Sequence, residues 1–481
     1  MASQLKKIGK FKFIIERDFQ TGMRVPGIIF ADDGLVDSII SDNAFKQVAN
    51  VASLPGIVSA SLAMPDIHWG YGFPIGGVAA MAPEIGIVSP GGVGYDINCG
   101  VRLFLSDIEA RELRPRVERL VDSLFQSVPC GVGSSGKIKT GAKELDSVLT
   151  RGAEWAVSEG LGWQEDLDRT EDRGKFAGAD PSRLSSTAKK RGLDQVGTLG
   201  SGNHFLEVQI VDRIFDEKTA QAFGLRENQV CCMIHSGSRG LGHQVCEDYA
   251  RDLVPKMQEY GITAQDRQLA GAPISSNDGK DYLAAMACAA NYAWANRQAI
   301  MHYCRLAFAE VFDSTPEKLG LHLLYDVAHN IAKFEEHTVD GRQRRLLVHR
   351  KGATRAFGPG RIEIPEIYRK FGQPVIIPGD MGTASYILVG AEGAMRESFG
   401  STCHGAGRRL SRTAAIKATK GRRIQDELSE KGILARWRGR ETMFEEAPEA
   451  YKNIDSIVDI VEGAGLSRKV ARLVPVAVVK G

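Results

Sequence analysis

Hydrophobic and polar positions along this chain repeat one arrangement: a short apolar run ends in glycine beside a histidine, aspartate or asparagine. Residues 229–234 are strongly apolar, predict a strand, and stop at His235-Ser236-Gly237-Ser238-Arg239-Gly240. Residues 205–211 alternate like a strand and follow Gly200-Ser201-Gly202-Asn203-His204; residues 321–327 alternate and end at Ala328-His329-Asn330. A short strand over 375–377 leads into Pro378-Gly379-Asp380-Met381-Gly382. Residues 10–40 read as short strands and turns, with Phe11, Phe13 and Ile15 alternating. Residues 63–77 read as a glycine-rich loop carrying Asp66 and His68, followed by an apolar run over 78–81.

Helical spacing marks residues 43–51, residues 115–128 with a proline in the first turn, and an alanine-rich stretch over 281–312. A helical stretch is expected before Ser401, and a basic helix over 408–423. His302 and Cys304 lie on the alanine-rich helix and are assigned to packing or surface. Residues 137–191 are polar and charged, which suits helices with surface loops in a peripheral insertion; Lys189-Lys190-Arg191 at its end reads as a solvated face. No internal repeat and no linker is evident, so a single α+β domain over 1–481 is expected, its site gathered at strand ends.

Composition narrows the class. Charged residues make up 25% and net charge is +2, so any nucleic-acid surface must be a local patch. No apolar run is long enough to span a bilayer, and the first residues lack a signal-peptide apolar core, so a cytoplasmic protein is expected. Eight cysteines occur without a Cys-x-x-Cys pair, which argues against a disulfide framework and a zinc ribbon. Most are expected in the core, with Cys99 the exception.

Cys99 sits in Gly91-Gly92-Val93-Gly94-Tyr95-Asp96-Ile97-Asn98-Cys99-Gly100. Glycine at that density lets a backbone turn sharply and approach another group closely. Either the stretch is a tight turn with a buried thiol, or Asp96 and Cys99 point at one ligand. Asp96, Cys99, His204, His235 and His329 together suit a transition metal, and a thiolate has the lone pairs to bridge two ions. Ligand softness alone favours zinc or iron. His404 opens His404-Gly405-Ala406-Gly407-Arg408-Arg409, where small residues leave room beside the ring and Arg408 could hold a phosphate. A neutral imidazole is a competent nucleophile toward phosphorus; a further metal ligand is the other reading of His404. No P-loop signature occurs.

Taken together, residues 94–102, 200–205, 235–240, 326–330, 402–408 and the final Lys-Gly closely resemble the RtcB family of RNA-splicing ligases, over about 23–481. The resemblance implies layers of helix around a β-sandwich. It implies a GTP- and Mn²⁺-dependent ligase joining RNA 3′-phosphate or 2′,3′-cyclic phosphate ends to 5′-hydroxyl ends, in tRNA splicing or RNA repair. One Mn²⁺ would lie on Asp96, Cys99 and His204, the other on Cys99, His235 and His329. His404 would carry GMP, with Asp66 orienting its ring. Asn203, His204, Phe205, Leu206, Glu207, His329, Asn330, Pro378, Gly379, Asp380, Met381, Ser385, His404, Gly405, Ala406, Gly407, Tyr451 and Lys480 would surround the nucleotide. Glu207 would accept from guanine N1–H and the 2-amino group, and Lys480 would donate to O6. Arg239, Lys351, Arg408 and Arg412 are expected on RNA phosphates. Asp380 departs from the family pattern and is expected to face away, offering its backbone; Ile67 and Trp69 also depart. An archease-type activating partner and a monomeric state are further expectations. Two other readings stay open: a two-metal phosphoesterase acting on RNA ends without nucleotide, and a non-catalytic RNA-binding protein.

Overall fold

The structure, a computed structural model, describes residues 4–481. Two large sheets and one long helix organise it. The first sheet has seven strands in the order Lys6–Gly9, Lys12–Ile15, Gly27–Phe30, Ser61–His68, Ile75–Met81, Arg342–Lys351, Asn330–Val339. The second runs Leu323–Ala328, Gly100–Glu109, Gln229–Ser236, Phe205–Ile214, Ser467–Lys480, Ser385–Gly390, Pro374–Ile377, with Leu434–Trp437 pairing in parallel beside Ser467–Lys480. Its two edges approach each other, Pro374–Ile377 packing on Leu323–Ala328 and Gly100–Glu109, so the sheet curls almost closed. Val101, Leu103, Phe205, Met233, Tyr325, Ile376 and Ile387 fill its interior. The alternate residues Phe104, Leu206, Val208, Cys232 and Ile234 face outward onto the long helix and Val117–Ser127, as the two-residue period of strands dictates.

The long helix, Asn277–Val311, starts where Ser276 accepts a hydrogen bond from the Gly279 N–H. It is buried on nearly every side, which its alanines permit. The 137–191 segment packs against it: Leu145, Val148, Leu149, Trp155 and Ala188 enter the same apolar cluster as Tyr282, Ala289 and Tyr292. Cys304 is buried on the helix, and all eight cysteines are buried and free. No helix among the described residues is long and apolar enough to cross a membrane.

Four local expectations are corrected. Asp33–Ser41 is a helix rather than strand and turn; Asp32 caps it, accepting from Leu35 N–H at 3.1 Å. Asp66 and His68 lie on the strand Ser61–His68, not in a loop. Before Ser401, Ser385–Gly390 is a central strand, and only Glu392–Glu397 is helical. The basic helix is confined to Arg412–Ala418, because Ser411 caps it and Gly407, with φ of 71°, turns the chain before it.

Candidate active site

The register of the second sheet gathers the sequence motifs at one end. Gly100 lies opposite Ala328 and Ser236, and Phe205 lies opposite His235 and Lys480. Cys99 and His204 each precede their strand by one residue, and His329 follows its strand by one. At His329 the chain passes from the second sheet into Asn330–Val339 of the first. All five candidate ligands therefore converge where the two sheets meet.

Two triads result, Asp96–Cys99–His204 and Cys99–His235–His329, each with its ligand atoms within 4.8 Å of one another. Cys99 belongs to both: its Sγ stands 3.4 Å from His204 Nε2 and 3.2 Å from His235 Nε2. His235 Nε2 lies 3.4 Å from His329 Nε2, and Asp96 Oδ2 lies 2.8 Å from His204 Nε2. His204 Nδ1 is 3.0 Å from the Leu199 carbonyl; a proton there leaves Nε2 a lone pair for a ligand. Burial, then neighbouring imidazoles, hold His235 and His329 well below the usual histidine range, so both are neutral donors. Burial raises the Asp96 carboxyl, but the adjoining His204 ring outweighs it and the group stays ionised. Burial and Asp96 push the Cys99 thiol well up, a cost that a cation beside the sulfur would reverse. One triad offers a carboxylate, a thiol and an imidazole, and the other offers the same thiol with two imidazoles. That donor set fits two divalent ions.

These loops hang from the long helix. Arg297, fully buried, pairs with Asp326 through two 2.8 Å contacts and donates to the Asn98 carbonyl at 2.7 Å and the Ser236 carbonyl at 3.0 Å. Asn296 beside it accepts from Gly197 and Thr198 N–H and donates to the Gly237 carbonyl at 3.1 Å. Gly237 is required for a steric reason, since a Cβ there would stand 2.2 Å from Asp96 Oδ1. Neither Arg297 nor Asn296 was singled out in the sequence, although the polar run Asn296-Arg297-Gln298 inside an apolar helix was a usable signal.

His404 enters from the other side. It follows Ser401–Cys403, which pairs antiparallel with Ala353–Arg355. Its Nδ1 is 2.6 Å from Asp66 Oδ2, and its ring centroid is 4.9 Å from that of His329. Asp66 is fully buried, and its second oxygen has no hydrogen-bond partner among the described residues. The Lys452 ammonium sits nearby, donating to the Pro65 carbonyl at 3.2 Å and also to Ile67. Burial lowers it to about 8, opposed by Asp66. The turn after His404 fits closely over Asp66: a Cβ at Gly407 would meet the Asp66 carbonyl at 2.3 Å.

The family model described as tRNA-splicing ligase RtcB matches residues 47–481. Proteins named tRNA-splicing ligase RtcB are 54% identical in Archaeoglobus fulgidus and 53% identical in Methanococcus maripaludis, with all of both chains covered. The one from Thermococcus kodakarensis is 53% identical over 99% of each chain. The chain belongs to the RtcB family.

Most residues expected around an RtcB nucleotide line one cavity of about 490 Å³ beside the triads. Asn203, Phe205, His235, His329, Asn330, Pro378, Gly379, Asp380 and Met381 face it. So do His404, Gly405, Ala406, Gly407, Tyr451 and Lys480. Others do not. Leu206 points away into the apolar cluster on the long helix. Glu207 is buried behind the lining, where Gln209 donates to it at 2.7 Å and burial pushes its carboxyl up to about 8. Ser385 is fully buried, its hydroxyl accepting from Gly379 N–H at 3.2 Å. A further carboxylate in the cavity wall, which the sequence reading missed, is Glu446; its side chain is buried. It pairs with Arg408 at 2.9 Å, lies 3.4 Å from Lys480 Nζ, and bonds Tyr451 Oη. Burial raises its carboxyl, and Lys480 and Arg408 outweigh that and keep it ionised. Lys480 also donates to the Gly202 carbonyl at 3.0 Å, so it is a held wall residue and not a solvated tail. Asp380 lines the cavity, but its carboxylate folds back onto its own turn, accepting from Gly382 N–H at 2.9 Å and Thr383 Oγ1–H at 2.8 Å.

The four cations expected on RNA divide. Arg412 stands at the cavity rim with its side chain 62% exposed. Arg239 is half-buried near the Asp96 triad and donates to Thr198 Oγ1 at 3.0 Å. Arg408 lines the cavity but is already engaged by Glu446 and the Glu445 carbonyl. Lys351 is a correction: it is 3% exposed, donates to the Tyr71 and Phe73 carbonyls, and is lowered to about 7 by burial. It holds the 70–74 loop and offers no charge at the surface.

Proposed function

We propose that this chain is an RNA ligase of tRNA splicing. It joins RNA ending in a 3′-phosphate, or in a 2′,3′-cyclic phosphate first opened by water, to RNA beginning with a 5′-hydroxyl, and it consumes GTP. The names of its full-length relatives support the RNA ligase reading. The observation that carries the chemistry is His404, turned into the cavity with Nδ1 on Asp66 and Nε2 left for a phosphorus atom.

His404 Nε2 attacks the α-phosphorus of GTP. The Nε2–P bond forms, the α–β P–O bond breaks, and pyrophosphate leaves with the electron pair. Asp66 holds the Nδ1 proton and stabilises the imidazolium character that the ring gains. Gly405 and Ala406, which carry no bulk beside the ring, leave space for the nucleotide. An oxygen of the RNA 3′-phosphate then attacks the same phosphorus, the Nε2–P bond breaks, and the RNA end carries GMP through a pyrophosphate link. The 5′-hydroxyl oxygen attacks the RNA phosphorus, GMP departs, and the hydroxyl proton passes to water. Two divalent cations, Mn²⁺ in this reading, would be held by Asp96, Cys99 and His204 and by Cys99, His235 and His329, and would neutralise charge on the phosphoryl oxygens. Lys480 supplies a donor for the guanine edge and Glu207 an acceptor just behind the wall, with Glu446 holding the Lys480 ammonium in place. Residues 1–481 act as one catalytic domain, a cytoplasmic monomer that an archease-type protein can activate.

The test is to incubate the protein with Mn²⁺ and α-phosphate-labelled GTP, denature it, and look for label on the chain. An acid-labile, alkali-stable adduct, absent from His404→Ala, is the expected result. No adduct, with RNA ends still hydrolysed, would replace the ligase by the phosphoesterase.

A further inference from the structure

We propose that Trp69 is the stacking platform for the base of the RNA nucleotide that carries the 3′-phosphate. The inference rests on the ligase reading and adds the residue that positions this RNA end.

Trp69 immediately follows the strand Ser61–His68 and lines the same cavity as His404. It is 50% exposed; Trp155 and Trp294 are buried and Trp163 and Trp437 half-buried. A single exposed aromatic is ordinary on a protein surface. This one is held in place. Its backbone N–H donates to Asp42 Oδ2 at 2.7 Å. The next residue is clamped from both sides, Gly70 N–H donating to Gln47 Oε1 at 2.9 Å and Gln47 Nε2–H donating to the Gly70 carbonyl at 2.7 Å. Gln47 is fully buried, so the clamp belongs to the core. A rigid backbone under an exposed indole presents a flat face without the entropy cost of ordering a loop on binding.

The cavity supplies the rest of the recognition. Arg409 and Arg412, both exposed, line it together with Trp69. A flat apolar face with guanidinium groups on the same rim suits a ligand that is both planar and anionic, as a nucleotide is. The other aromatic side chains of the cavity, Phe205 and Tyr451, sit with Lys480 and Glu446 at the guanine end. Trp69 instead lies three residues beyond Asp66, just past the end of the strand that holds His404. Three extended residues span about 10 Å, the scale of one nucleotide from phosphate to base. Stacking is tolerant of sequence because every base has a π-face, so the platform grips any terminal base.

The experiment measures binding of a short 3′-phosphate RNA by fluorescence anisotropy, and KM in ligation, for the wild type, Trp69→Ala and Trp69→Phe. Each is tested with intact RNA and with RNA abasic at the 3′-terminal nucleotide. Trp69→Ala is expected to weaken intact RNA roughly 5- to 150-fold, with Trp69→Phe recovering most of the loss. The abasic RNA is expected to bind the wild type as weakly as intact RNA binds Trp69→Ala, and to be indifferent to the substitution. Equal binding of intact RNA by Trp69→Ala and wild type overturns the proposal, as does an equal loss on intact and abasic RNA. If the wild type neither takes label from GTP nor binds 3′-phosphate RNA, the ligase reading itself falls, and Trp69 with it.

Discussion

Asp66 Oδ2 receives both the backbone N–H of His404, at 3.0 Å, and its ring Nδ1, at 2.6 Å. One carboxylate oxygen thus fixes the main chain and the imidazole together, so ring tilt and tautomer follow from one contact. Asp66→Asn keeps the shape but weakens the acceptor and offers a competing N–H. Label incorporation from GTP should fall about 10²–10⁴-fold, while the far-ultraviolet circular dichroism stays that of the wild type. Retention of full labelling would show that Asp66 merely fills space.

The shared thiol makes a second prediction. Cys99 stands in both triads, whereas Asp96 and His329 each belong to one. Equilibrium dialysis against Mn²⁺, read by elemental analysis, should give two ions for the wild type, one each for Asp96→Ala and His329→Ala, and none for Cys99→Ala. One retained ion in Cys99→Ala would place the sulfur outside the bridge.

A third concerns the helix beneath the site. Asp326 is fully buried between Arg102 and Arg297, with oxygen–nitrogen distances of 2.7 and 2.8 Å. Asp326→Asn leaves two guanidinium groups without a counter-charge and should cost about 3–5 kcal/mol in urea unfolding. Because Arg297 also holds the Asn98 and Ser236 carbonyls, Mn²⁺ affinity should fall in the same variant. A loss of stability without loss of metal affinity would separate the scaffold from the site.

Glu207 gives a pH dependence. Burial raises its carboxyl from 4.5 to about 8, with Gln209 opposing. Between these values the folded chain keeps a proton that the unfolded chain releases. Stability from this group is fully present below pH 4.5 and is lost as pH rises through about 8. Glu207→Gln cannot ionise, so wild-type stability in urea should decline relative to it between about pH 5 and pH 8.5, by an amount on the order of a few kcal/mol. Parallel stability curves would mean that Glu207 is ionised in the native protein.

The two triads were readable because each member lies within two residues of glycine or asparagine near the start or end of an apolar run, a pattern that survives in one dimension. Helix 33–41 was overlooked although Leu35, Val36, Ile39 and Ile40 keep helical spacing behind the Asp32 cap; the glycine at 34 masked it. Lys351 and Glu446 show the limit. Nothing in either residue's neighbours along the chain tells that one is sealed behind the 70–74 loop and the other set into the cavity wall. Those placements depend on partners far away in sequence, and charge alone gives no direction.

The bond between Asp66 and His404 closes a span of 338 positions. Contacts so remote in sequence form slowly, because the intervening chain must be organised before they are rewarded. In the proposed reaction, a nascent chain that has Asp66 but not yet His404 lacks the nucleophile, and a partly folded one has an unprimed imidazole, so neither would consume GTP. Chemical competence is therefore a report on completed folding. In a refolding experiment, capacity to take label from GTP should return after the helical signal, and the lag measures how long the strands Ser61–His68 and Ser401–Cys403 take to find each other.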